Sequence, residues 1–196
     1  EKGRTDRYEA AMALMDDEEY DAAIAAFAQM GDYRDSAERA EECRREMDYE
    51  AAQALMDAGK YGKASEAFAA LSGFKDAEDK ALECRNIMDY NEAQALMNAG
   101  EYPQARDRFT ALGSFRDAAE QAQLCQNIMD YVAALADMEQ GNYADAKRVF
   151  DRLGDYSDSA RLAEECQNNI DYIAADEAYN SGFYYTAYSG FKQLKD

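Results

Sequence analysis

Residues 76–116 read DAEDKALECRNIMDYNEAQALMNAGEYPQARDRFTALGSFR, and this stretch decides the fold. Asp76 to Asn98 contains neither Pro nor Gly. Its apolar side chains fall at Ala81, Cys84, Ile87 and Met88, then at Ala93, Leu96 and Met97. Steps of three and four put them on one face of a helix. Gly100 ends the pattern, as a glycine just past a helix terminus does. Pro103, the chain's only proline, stands where the next helix starts and its missing N–H costs nothing. Ala105, Phe109 and Leu112 form a second, shorter helical stripe, and Gly113-Ser114-Phe115-Arg116 lead on to Asp117. Nothing alternates with period two, which excludes strands and propellers.

Working outward, the same pattern returns every 41 residues. Tyr8, Tyr49, Tyr90, Tyr131 and Tyr172 keep that interval, and so do Cys43, Cys84, Cys125 and Cys166. Ala23, Ala64, Ala105, Ala146 and Ala187 share it with Phe27, Phe68, Phe109, Phe150 and Phe191. A period of this length marks units that bury their apolar faces on their neighbours. The expectation is an all-α chain in a single repeat domain, 1–196. Its units are 8–48, 49–89, 90–130 and 131–171, with a partial one at 172–196. Each holds a long helix of about 24 residues, ~36 Å at 1.5 Å per residue, and a short one of about 10. The long helix is expected to run unbroken through Asp89-Tyr90, where no breaker stands. Tight turns between successive helices imply a right-handed superhelical α-solenoid with one concave face.

Composition narrows the function. The 196 residues carry 21 Lys plus Arg against 41 Asp plus Glu, a net charge of −20, and no His. Without His the commonest general base and zinc ligand are missing, which removes Ser-His-Asp and Cys-His catalysis. The charge disfavours nucleic acid and anionic membrane surfaces. No run of about 18 apolar residues is present to insert into a bilayer. Only carboxylates, Lys, Tyr and Cys remain for chemistry, and none forms a cluster outside the repeat, so no enzyme activity and no cofactor are expected.

Two recurring residue types invite other readings. Asp35-Ser36-Ala37-Glu38 and Asp117-Ala118-Ala119-Glu120 carry an acceptor followed three residues later by Glu, the signature of a capping box. Asp76 and Asp158 hold the same place, so these aspartates are expected to cap the long helices. Asp151, Asp155 and Asp158 lack the spacing and turn glycine of a calcium loop, so no metal is assigned there. Cys84 lies on the apolar stripe between Ala81 and Met88. Equivalent positions on packed helices are ~8–10 Å apart, too far for the ~7 Å Cα limit of a disulfide. The four cysteines are therefore expected to fill buried gaps as free thiols.

The second half of each unit resembles the tetratricopeptide repeat. Gly59-Lys60-Tyr61, Ala64, Phe68 and Leu71 carry the likeness. It recurs at Gly100, Tyr102, Ala105, Phe109 and Leu112, and at Gly141, Tyr143, Ala146, Phe150 and Leu153. The family's unit is 34 residues, and the surplus here lies in the first helix. The family's Trp, first-helix Gly and terminal Pro are absent. The connector Gly31-Asp32-Tyr33-Arg34-Asp35-Ser36 is similar to a variant found in Gram-positive bacterial proteins.

The resemblance implies that a peptide lies along a groove lined by the first helices. Carried over, the groove positions are Tyr49, Gln53, Met56 and Asp57, then Tyr90, Gln94, Met97 and Asn98, then Tyr131, Leu135, Met138 and Glu139. Tyr and Met suit such a surface, one rigid and amphipathic, the other adaptable. Because the tyrosine is the same in every unit, it also fits a purely architectural wedge. The varying residues Gln53, Gln94, Leu135 and Asp176 are the better recognition candidates.

Charge is uneven: 8–48 carries −9, and the next three units −3, −3 and −5. Asp16-Asp17-Glu18-Glu19 replaces the turn glycine of later units. This end reads as a solvated cap or as a contact for a basic partner. At the other end Phe183, Tyr184, Tyr185, Tyr188 and Phe191 crowd the last short helix. The chain opens on Glu1 and closes on Leu194-Lys195-Asp196 where a connector would follow. The expectation is a piece of a longer protein or an aromatic end that self-associates end to end. Free thiols favour the cytoplasm, and the resemblance also admits an extracytoplasmic part of a membrane-anchored bacterial protein. The leading function is a protein- or peptide-binding scaffold; the alternative is a structural spacer in a larger bacterial protein.

Overall fold

Every residue from Ala77 to Asn98 is helical in the computed structural model, so the helical spacing read above is realised through Asp89-Tyr90. The structure describes residues 2–194. Glu1, Lys195 and Asp196, on which part of the expectation about the chain's ends rests, lie outside the described residues.

The described residues form ten helices and no strand. They are α1 (Lys2–Asp16), α2 (Tyr20–Ala28), α3 (Ser36–Asp57), α4 (Tyr61–Ala70), α5 (Ala77–Asn98), α6 (Tyr102–Leu112), α7 (Ala118–Glu139), α8 (Tyr143–Leu153), α9 (Ser159–Asn180) and α10 (Tyr184–Gln193). From α3 onward each long helix has 22 residues, and the short ones have 9 to 11. Contacts divide the chain into two units, Glu1–Asn91 and Glu92–Asp196.

In the first unit α2 packs on both α1 and α3, and α3 on α4. Tyr8, Ala11, Ala23, Phe27, Met30, Ala40 and Cys43 form one core. Ala52, Ala64, Phe68, Leu71, Ala77, Ala81 and Cys84 form the next. The small residues allow close approach of the helices, and each Phe fills the space between. Ser65, buried in α4, donates to the carbonyl of Ala81 at 3.0 Å. In the second unit α7 packs on α6 and α8, and α9 on α8 and α10. Ala134, Ala146, Phe150, Leu162, Ala163 and Cys166 form one core there. Cys43, Cys84, Cys125 and Cys166 are free and fully buried, as a gap-filling role requires.

The turn after each long helix is closed by two backbone bonds. After α5 the N–H of Gly100 reaches the carbonyl of Met97 at 3.0 Å, and that of Glu101 reaches Leu96 at 2.9 Å. This is the Schellman arrangement, which needs a left-handed residue at the glycine. Gly59, Gly100, Gly141 and Gly182 supply it with φ of 70°, 80°, 82° and 82°. After α1 the same bonds form around Glu18, which adopts φ 61° without being glycine.

The expected capping role of the aspartates is corrected. Asp35, Asp117 and Asp158 do precede α3, α7 and α9, but none makes a side-chain cap bond. Their backbones sit near φ −100° and ψ 25°, away from the extended region from which a cap oxygen folds back onto the first turn. The residue before the aspartate explains the bend. Arg34, Lys75, Arg116 and Ser157 are all left-handed, with φ of 47° to 54°. Each connector thus holds two residues of positive φ, the glycine foreseen and a second that is not glycine.

Candidate functional site

Carboxylates at the entries of the long helices hold tyrosines. Tyr8 donates its hydroxyl to Asp35 and Tyr49 to Asp76. Tyr131 donates to Asp158 at 2.5 Å. In each pair the tyrosine sits mid-helix and the aspartate enters the next long helix, 27 residues on. The rings pack edge-on against the core phenylalanines: Tyr8 on Phe27 at 5.9 Å, Tyr49 on Phe68 at 5.5 Å, and Tyr131 on Phe150 at 5.9 Å. Their other edges meet the connector aromatics Tyr33, Phe74 and Tyr156.

The left-handed connector residue brings a cation over this aromatic pair. Arg34 lies 5.0 Å from the centre of the Tyr8 ring, and the Lys75 ammonium lies 4.8 Å from that of Tyr49. Lys75 also pairs with Glu46. In the second unit Arg116 lies 5.3 Å from the Phe115 ring. Such contacts favour the cation through the ring's negative face.

Electrostatics follow from this arrangement. The tyrosine hydroxyl stabilises the charged partner, so Asp35, Asp76 and Asp158 are held below their ordinary value, chiefly by that bond. Tyr8 and Tyr131 are raised, mainly by the same bond. Tyr49 is pushed up to about 12, first by burial and then by Asp76. Burial also raises all four thiols, which leaves them poor nucleophiles at neutral pH.

The remaining groove candidates divide by exposure. On α3, Gln53 is half-buried and donates to Asp57 at 2.9 Å, which leaves Asp57 exposed. Met56, half-buried, packs on the Phe68 core. On α5, Tyr90 is buried, Met97 half-buried, and Gln94 and Asn98 exposed. On α7, Leu135 and Met138 pack on the Phe150 core, and Glu139 is exposed. On α9, Asp176 is exposed and accepts from Asn180 at 3.0 Å. Side chains brought together are thus Gln53 with Asp57 and Asp176 with Asn180. The tyrosines are engaged with the frame.

Sequence reasoning missed the aspartate acceptors and the cations above the rings. A signal was present: Tyr8 with Asp35, Tyr49 with Asp76, Tyr90 with Asp117 and Tyr131 with Asp158 keep one offset. Compared with known proteins, the chain matches no family model, no curated protein and no solved structure.

Proposed function

We propose that the chain is a tetratricopeptide-like α-solenoid of 41-residue units that binds an extended peptide segment of a partner protein along the faces of its long helices. One observation carries this reading. On the long helices from α3 onward a shared alanine is buried, and the residue that follows it varies and is half-buried or exposed. Ala52, Ala93, Ala134 and Ala175 are buried. Gln53, Gln94, Leu135 and Asp176 follow them directly and range from an amide to an aliphatic and a carboxylate side chain. Asp57, Asn98, Glu139 and Asn180, one turn on, are all exposed. A constant frame with a variable face suits recognition, since specificity comes from the variable groups.

The partner segment is basic. The net charge of −20, with −9 in 8–48, gives it a long-range attraction that salt screens. The test is a displayed random-peptide selection against the chain. Enriched peptides should be rich in Lys and Arg, should bind less tightly as salt rises, and should lose affinity for Gln53→Arg or Gln94→Arg. No enrichment above background, or equal binding to both variants, would overturn the reading in favour of a structural spacer.

A further inference from the structure

The largest group of exposed aromatic side chains is on α10, a short helix that carries none of the long-helix candidates. Phe183, Tyr184, Tyr185 and Tyr188 are 66%, 65%, 84% and 65% exposed. Tyr184, Tyr188 and Phe191 follow at i, i+4 and i+7, so they share one face of the helix. The ring of Tyr179 meets that of Tyr184 at 5.6 Å, which joins the end of α9 to the same patch. With ~150–250 Å² per aromatic side chain, these exposures together with Tyr179 at 56% and Phe191 at 36% leave roughly 550–950 Å² of aromatic surface in water. That exceeds what a monomeric protein commonly shows in one patch. It matches the ~800 Å² that each partner contributes to a stable interface.

Two further features indicate the occupant. Residues 178–191 carry no charged side chain. In a chain of net charge −20 this is the stretch where two copies repel each other least. It also offers no charge with which to select a basic or acidic partner. Second, Phe183, Tyr185 and Tyr188 are particular to this helix, whereas Tyr184 and Phe191 recur in the earlier short helices. Where α10 has Tyr185, the earlier short helices have Asp21, Gly62, Pro103 and Ala144. Where it has Tyr188, they have Ile24, Ser65, Arg106 and Lys147. At that position Ser65 donates to Ala81 of the following long helix, and Arg106 donates to Gln126 at 2.9 Å. Tyr188 replaces those polar links with a ring whose hydroxyl both donates and accepts. We infer that α10 is a self-association surface, through which two copies of this chain pair symmetrically, Tyr185 and Tyr188 of each packing on the other's aromatic face. Such an isologous pair needs only a self-complementary patch, and edge-to-face tyrosines provide one.

The test is light scattering coupled to gel filtration over a concentration series of the whole chain, at low and high salt. The mass should rise from 22.0 kDa towards twice that value. Because the copies repel, salt should strengthen pairing, the opposite of its effect on a basic peptide, so the two proposals fail separately. Tyr185→Glu with Tyr188→Glu should weaken pairing by about 30-fold or more, the effect of losing a central aromatic anchor. Both side chains are exposed, so helicity and thermal midpoint should be unchanged. A chain monomeric at every concentration, or a dimer that survives the double substitution, would overturn the inference. If the variant lost helicity, hydrogen exchange on the wild type would decide. Protection of 184–193 that grows with concentration supports pairing through α10, and protection elsewhere overturns it.

Discussion

Tyr131 donates to Asp158 at 2.5 Å, tying the middle of α7 to the entry of α9. Both groups recur as Tyr8 with Asp35 and Tyr49 with Asp76, so the tie is part of the frame. Tyr131→Phe keeps the ring on Phe150 and removes only the bond. It should cost about 1 kcal/mol of stability in urea titrations. Asp158→Asn should also destabilise, and the double variant should be less damaging than the separate effects combined. Additive effects would show that the two groups act independently.

The same ties set the pH window. Asp35, Asp76 and Asp158 are lowered in the folded state. The folded chain therefore binds fewer protons than the unfolded one near pH 3.8, the ordinary carboxylate value. Their contribution is present above that pH and disappears as pH falls through the folded values. The tyrosines act at the other end. Tyr8, Tyr49 and Tyr131 are raised from 10.0. Their contribution is complete below pH 10.0 and is lost as pH rises towards the folded values, about 12 for Tyr49. Thermal midpoints against pH should fall on both flanks. Ultraviolet titration of Tyr49→Phe should lack a tyrosinate step near pH 12.

Glu18 occupies the left-handed position that Gly59, Gly100, Gly141 and Gly182 hold elsewhere. An L side chain there costs ~1 kcal/mol or more. Glu18→Gly should stabilise the chain by up to about that amount and raise the thermal midpoint, and Gly141→Ala, at φ 82°, should lower it. Unchanged midpoints in differential scanning calorimetry would refute the strain argument.

The buried thiols and phenylalanines should behave as packing groups. Ellman's reagent should leave all four cysteines unmodified in the native protein and react with them in denaturant, because each is fully buried with a raised pKa. Phe68→Ala, at a fully buried site, should cost ~3–5 kcal/mol. Hydrogen exchange should show the loss concentrated around α3, α4 and the first half of α5, whose residues share that core.

The helices were legible because their signals are local. Apolar spacing, Gly100 and Pro103 set α5 and α6 to within a residue or two, and nothing between Ala77 and Asn98 could break the helix. The connector was only half legible. Its glycine advertises a positive φ, but Arg34, Lys75, Arg116 and Ser157 take a positive φ without any such marker. Their conformation is imposed by what the connector joins, and for Arg34 and Lys75 it places the cation over the ring. The capping signature at Asp35 misled because an aspartate before a helix reads the same whether its carboxylate turns inward or reaches a phenol 27 residues earlier. At the candidate site, periodicity located the face but did not reveal that its tyrosines are held by the frame, which leaves the glutamines and their neighbours one turn on.

The tyrosine ties also bear on how the chain would respond to force. Each closes a stretch of identical length, from Tyr8 to Asp35, from Tyr49 to Asp76 and from Tyr131 to Asp158. Under tension applied along the backbone, the bond and its ring contacts must part before that stretch can lengthen. The chain should therefore extend as a series of matched latches, releasing slack in equal increments rather than yielding all at once.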